Sequence, residues 1–351
     1  MGQFFQLINF DSKRWNGSFQ LGEVFFDTLC IGLSHWTIPV LESKTLRSIR
    51  RDYPRFAHRS KSPDSKLLRL PDELLWMVFR NIGPESFSDA VCLCLADGRL
   101  LDVGYHEVQK LKQLIYADCA GDRIAFLGDY TEDFPASVEA LAKGQLAEFQ
   151  ASKNSQNNSS DSDEEEDAYQ YRFYEVVEEI YRKVIHDARE YEMMNHDVFD
   201  KLRVAEQGVY FELMEASYKS SQPWVLCNIS KGVYVRADAI SELAGENSNN
   251  TPFGYNDHLQ LDQALLSQIS WSSDSSLSMC YGDEELQAYK PEHANFKLHR
   301  GPWAGDRFEV TTMDRMRKNI EWKDVSAEIV ALLEMIYEAE FGDNWKEELL
   351  R

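Results

Sequence analysis

No HExxH, no GxSxG, no glycine-rich phosphate loop and no Cys/His cluster at metal-ligand spacing occurs anywhere in the 351 residues. The familiar zinc-peptidase, hydrolase and nucleotide-enzyme motifs are thereby excluded, and no catalytic residue, metal ligand or cofactor is assigned. His186-Asp187 and His196-Asp197 look like catalytic pairs, but histidines ten positions apart do not share a helical face as i, i+4 ligands do. The six cysteines, at 30, 92, 94, 119, 227 and 280, form no CxxC pair. Nothing at the start reads as a secretory signal, so reduced thiols in an intracellular protein, cytoplasmic or nuclear, are expected. Gly2 follows Met1, but Gln6 stands where a myristoylation signal wants Ser or Thr. No apolar run approaches a membrane span, so no membrane partner is expected.

Positive charge is also scarce. Lys and Arg number 37 against 59 Asp and Glu, a formal net charge of −22. Such a chain repels phosphate backbones and anionic lipid, which excludes nucleic acid as an expected partner unless a basic patch intervenes. The one dense basic stretch, Arg47–Arg69, has no interleaved stacking aromatics and reads as a solvated linker or a contact for the chain's own acidic tract. Hydrophobic residues at 43% and aromatics at 12% are globular values, with material for one large or two moderate domains.

What is present is mixed. Phe4–Phe10 reads as an opening strand, and Trp224–Arg236 as a hairpin turning at Ser230-Lys231-Gly232. Helices are expected over Ser137–Gln150, over Tyr169–Tyr191 as one long element, over Asp262–Ile269 with Leu261, Leu265 and Ile269 on one side, and over Val325–Phe341. Ser152–Asp167 is filled with Asn, Ser, Asp and Glu and cannot bury enough apolar area to order itself, so a disordered linker is expected. Within it Ser160 and Ser162 each precede an acid by three positions, the pattern favoured by acidophilic serine kinases.

Two pieces recur. Phe5-Gln-Leu-Ile-Asn9 matches Trp224-Val-Leu-Cys-Asn228, and Ala120-Gly-Asp-Arg123 matches Ala304-Gly-Asp-Arg307. The pieces lie 112 positions apart in the first copy (Asn9 to Gly121) and 77 in the second (Asn228 to Gly305), and the excess of 35 is close to a three-helix insert. The expected fold is α+β: two related mixed units, an internal duplication, the first interrupted by a helical insertion. The boundaries read as 1–65 and 116–150 for the first unit, 66–115 for the insertion, 151–168 for the linker and 169–351 for the second unit. Asp122, Arg123, Asp306 and Arg307 are the candidates for a cleft between the copies. Adjacent strand residues point to opposite faces, which favours a structural role: Gly for the turn, Asp bonding its own backbone, Arg pairing with an acid such as one from the facing copy.

The insertion carries its own signature. Leu70-Pro71-Asp72-Glu73-Leu74-Leu75 opens a helix with proline and acids in its first turn, and Leu74, Leu75, Val78, Phe79 and Ile82 form an apolar stripe closed by Gly83-Pro84. Two more stripes follow, Phe87/Val91/Cys94/Leu95 and Val108/Leu111/Ile115. This segment resembles an F-box, the module that docks a substrate receptor onto the adaptor subunit of a cullin-type ubiquitin ligase. Where an F-box often carries Cys-Lys/Arg-x-Trp, this chain has Cys94-Leu-Ala-Asp-Gly-Arg99. Together with the Met1-Gly-Gln-aromatic start, the Trp224-Val-Leu-x-Asn strand and the Trp303-Ala-Gly-Asp-Arg turn, the chain resembles an uncharacterised family of fungal F-box-like proteins. The resemblance implies a protein-interaction role, with Leu70, Pro71, Leu74, Leu75 and Val78 docking the adaptor. The alternatives are an enzyme or small-ligand binder using the cleft, and a scaffold with every helix packed internally.

Overall fold

The computed structural model describes residues 3–26, 33–39, 45–54, 65–157, 172–183, 199–214, 222–243, 259–275 and 297–349. Ser160, Ser162, His186, His196 and much of the basic stretch lie outside them. The class is α+β, with two mixed sheets and helices. The chain divides into two compact units: a helical one, Ile38–Asp118 with Ile185–Lys219, and an α+β one made of the remainder.

The α+β unit opens with β1 (Phe4–Asn9) and β2 (Arg14–Gln20), an antiparallel hairpin, followed by the short helices α1 (Leu21–Phe26) and α2 (Leu33–Trp36). The chain then leaves for the helical unit and returns at Cys119, whose N–H donates to the Trp36 carbonyl at 2.8 Å. After it come β3 (Ile124–Gly128), which lies antiparallel on β1, and α7 (Glu139–Asn157), α8 (Phe173–Ile180) and β4 (Arg182–Lys183). The second sheet uses the hairpin β5 (Trp224–Asn228) and β6 (Val233–Arg236), then β8 (Phe308–Thr312) antiparallel on β5 and β9 (Lys323–Asp324) parallel on β6. Between them lie α10 (Ala237–Leu243), α11 (Leu261–Ile269) and β7 (Ser270–Trp271), and α12 (Ser326–Phe341) and α13 (Trp345–Leu349) close the chain.

The sheet orders, β4-β2-β1-β3-β7 and β8-β5-β6-β9, share one plan. A hairpin is flanked on its first strand by an antiparallel partner and on its second by a two-residue parallel strand. The register also matches, since Asn9 faces Ile124 and Asn228 faces Phe308, each the residue after an Ala-Gly-Asp-Arg turn. Four strands are covered on both faces: β3, β5 and β8 are buried along their whole length and β1 along all but Phe4. The first sheet packs Ile8, Phe10, Trp15, Ala125 and Leu127 against Phe173, Val177 and Tyr181.

Several expectations require correction. The helix expected over Tyr169–Tyr191 ends at Ile180, because Tyr181 turns extended and the next two residues pair with β2. Residues 172–183 therefore complete the first sheet rather than opening a second unit. Conversely β7, from the second half, lies beside β3. Helix α7 runs on through Ser152–Asn157, where the linker was expected, and the hydroxyls of Ser152 and Ser155 return to the Phe149 and Ala151 carbonyls of their own helix. Helix α11 is buried on all sides rather than on one. Its polar groups are satisfied in place: Asp262 accepts from the Ser34 N–H at 2.9 Å and from the Ser34 hydroxyl, and Ser267 donates to the Ala264 carbonyl. Burial pushes the Asp262 carboxyl up, in spite of the Ser34 bonds.

The helical unit exceeds the expected 66–115. It comprises α3 (Leu46–Asp52), α4 (Asp72–Arg80), α5 (Phe87–Ala96), α6 (Gly98–Tyr116) and, from far along the chain, α9 (Val204–Met214). The Tyr116 hydroxyl donates to the Met214 carbonyl at 3.1 Å, and the buried Lys112 amine lies 3.4 Å from the Glu212 carbonyl, which ties α9 to α6. Asp97 caps α6 by accepting from the Arg99 N–H at 2.9 Å. Helix α4 lies so close to α6 that a Cβ on Gly104 would sit 2.3 Å from the Phe79 ring. Overpacking of that kind costs about 1–3 kcal/mol, against about 1 kcal/mol gained from replacing a mid-helix glycine by alanine. Gly104→Ala is therefore expected to lower the stability of the helical unit by up to about 2 kcal/mol, read as a shifted urea midpoint with an unchanged slope.

Candidate functional site

The two Ala-Gly-Asp-Arg turns meet. Arg123 and Arg307 form an antiparallel bridge, and the turns exchange backbone bonds reciprocally: Gly121 N–H to the Phe308 carbonyl at 2.6 Å and Gly305 N–H to the Ile124 carbonyl at 2.8 Å. Both glycines sit at positive φ, 80° and 77°, a conformation that side chains with a Cβ avoid. The matching continues outward. Phe10 and Ile229 donate to the Arg123 and Arg307 carbonyls, at 3.0 and 2.8 Å.

The aspartates do not bond their own backbone as expected. Asp122 accepts from the Asn9 amide at 3.0 Å, and Asp306 from the Asn228 amide at 2.8 Å. Each asparagine uses its carbonyl oxygen to accept from the backbone three residues on, Ser12 N–H at 3.0 Å and Lys231 N–H at 3.0 Å. The sequence displayed both asparagines at equivalent positions, but not that each ties a hairpin to the turn beside it.

The two arginines converge on one acid, Asp11. Arg123 reaches it through Nε at 3.0 Å and Nη2 at 2.6 Å, and Arg307 through Nη1 at 2.8 Å. Arg307 thus pairs with an acid of the facing half, as expected, while Arg123 uses the same acid from its own half. Partial burial works against the ionised form of Asp11, yet the bonds and charge of Arg123 and the charge of Arg307 outweigh it and hold the carboxyl below its ordinary value. The position equivalent to Asp11 is Ser230, whose hydroxyl accepts from the Arg307 N–H at 2.9 Å. All four cleft candidates are thus brought together, and each is engaged by the protein itself.

The adaptor-docking candidates separate. Leu74, Met77 and Val78 are 45%, 51% and 40% exposed, whereas Leu75 and Phe79 are each 1% exposed. The stripe read from the sequence is two faces: Leu75 and Phe79, four apart, point inward, and Leu74 and Val78, each one position earlier, point outward with exposed Pro71. Leu75 belongs to the interior, and Met77 lies with Leu74 and Val78 among the exposed apolar residues of α4. Leu70 is half-buried. On the flank, the Trp76 indole N–H donates to Glu107 at 2.9 Å and the Arg80 guanidinium stacks 5.1 Å above the indole. The Lys110 bond holds the Glu107 carboxyl below its ordinary value against the cost of burial, with help from Trp76.

Among the described residues no His, Cys, Asp and Glu group is placed to hold a metal ion, and no helix is long and apolar enough to cross a membrane. Burial pushes the Cys119 and Cys227 thiols up to about 12, so neither is a ready nucleophile. The chain matches no protein-family model, no curated protein and no solved structure.

Two outcomes test the paired turns. A carboxylate with a lowered folded pKa stabilises above its unfolded value, near 4, and loses that contribution as pH falls through the lower one. Asp11→Ala is expected to cost about 1–3 kcal/mol at pH 7, a deficit that shrinks below about pH 4 in denaturant titrations across pH. Ser230→Asp, which places there the acid its matched position holds, is expected to add about 0.5–1 kcal/mol at low ionic strength, read as a raised Tm that salt diminishes.

Proposed function

We propose that this chain is a non-enzymatic interaction protein whose helical unit docks the adaptor subunit of a cullin-type ubiquitin ligase while the α+β unit receives a client. The observation that carries this reading is the outward apolar face of α4. Pro71, Leu74, Met77 and Val78 lie in water along the segment that resembles the docking helix of an F-box, while the opposite face anchors the helix. Exposing such side chains is unfavourable unless a partner covers them, and a contiguous exposed stripe on a well-anchored helix is a recognised mark of an interaction site. A partner offering an apolar groove would take Leu74 and Val78 as anchors, with Asp72 and Glu73 at one end and Arg80 at the other setting polarity.

We further propose that the α+β unit arose by internal duplication, on the strength of the shared sheet plan and the matched bonds of the paired turns. The four cleft residues then serve to join the two halves. Their side chains are committed to Asp11, Asn9 and Asn228, which supports a structural role over a small-ligand site.

The docking reading is tested by titrating purified adaptor subunit into the full-length protein and measuring heat. Wild type is expected to bind, and Leu74→Glu with Val78→Glu, both on exposed positions, to abolish binding while leaving the circular dichroism spectrum and Tm unchanged. Absence of any wild-type complex on a sizing column, at concentrations near 100 micromolar, would remove the reading.

A further inference from the structure

We propose that Arg99 is the positioning residue of this docking face, an inference that rests on the docking reading above. Helix α4 begins without a side-chain cap: its N-cap is Pro71, which has no N–H and no side-chain acceptor. The two residues before the helix, Leu70 and Pro71, are extended, with ψ of 145° and 155°. Proline restricts the backbone at this junction, but no side-chain cap ties the first turn of α4 to it. Arg99 does so from outside. Its Nη1 donates to the Leu68 carbonyl at 2.5 Å, its Nη2 to the Leu70 carbonyl at 2.9 Å, and Nε and Nη2 to the Asp72 carboxylate at 2.8 and 2.6 Å.

One planar guanidinium thus spans the turn, the Leu-Pro junction and the first helical residue. It fixes where Pro71 and the first turn of α4 stand relative to α6. Only Arg has the fork to do this; a lysine ammonium is a single point that cannot serve three separated acceptors. The backbone of Arg99 is itself pinned by Asp97, so the fork projects from a fixed start. Farther along α4, Trp76 bonds to Glu107 and Phe79 rests over Gly104. Helix α6 therefore holds α4 at its beginning, middle and end, and the face it presents is set before a partner arrives.

The test uses the full-length protein, adaptor subunit as titrant, and amide hydrogen exchange on the free protein. Arg99→Ala is expected to bind the adaptor about tenfold more weakly, the loss of a pre-organised surface. In the free protein it should speed exchange at Leu74 and Leu75, whose N–H groups both bond to the Pro71 carbonyl, by about tenfold, leaving Val91 and Cys94 of α5 unchanged. Arg99→Lys should fall between the two on both readouts, and it stands in if the alanine variant does not fold. Faster exchange spread equally over α5 would mean general destabilisation and would overturn the proposal, as would unchanged exchange at Leu74 and Leu75 or unaltered affinity. A wild-type protein that does not bind at all marks failure of the docking reading itself, and takes this inference with it.

Discussion

Two tight turns that lend each other backbone hydrogen bonds are the constraint on which the α+β unit depends. Gly121 and Gly305 each donate across to the strand that follows the other's turn. Neither strand pair can form its end properly unless the other is present. The bonds are short, their geometry requires glycine at both positive-φ positions, and an asparagine on each hairpin locks the adjacent aspartate. Cooperativity follows, because backbone groups at the junction have no partner until both halves are in place, and an unpaired buried amide is expensive. Asp11 adds charge to this junction without symmetry. One carboxylate serves two guanidinium groups, and its matched position carries a serine.

The helical unit follows another logic. Helix α4 is nine residues long, too short to hold its own shape in water, so its order comes from packing. Burying Leu75 and Phe79 against α6 supplies that order, and the remaining face is left to water. Rigidity and exposure are thus two products of one contact. A partner meeting such a face need not order it, which spares the entropy that a disordered segment would lose on binding.

Local signals were legible in the sequence, and elements defined by distant pairing were not. The hairpin of β5 and β6 was readable because its two strands and turn are contiguous, and α12 because Ile329, Leu332, Leu333, Ile336 and Tyr337 face inward at helical spacing. The repeated Ala-Gly-Asp-Arg showed the paired turns, but Asp11 as their shared acid had no sequence signature. Strand β4 is two residues long and exists only because β2 lies beside it, so a continuing helix was the natural local reading. Helix α11 defeats periodicity since it is buried all round, with Asp262 held by Ser34 from 228 positions away. At α4 the pattern merged two faces, because adjacent apolar residues 100° apart both fall within a wide stripe. Only packing tells Leu74 from Leu75.

The hydrogen bond from Cys119 to Trp36 has a mechanical corollary. The Ile38–Asp118 excursion, the first of two into the helical unit, departs and comes back at a stapled point, and Trp303 bonds to Gln268 in the other half, again at 2.8 Å. A segment whose two ends are fastened together imposes no tension on the strands that flank it, whatever its size, since closing a longer excursion adds cost only logarithmically. That doorway can admit a few residues or a whole bundle while β1, β3 and their turn keep their register. The stretch Ile38–Asp118 is thus a loop closed at its base, whose length β1 and β3 do not register.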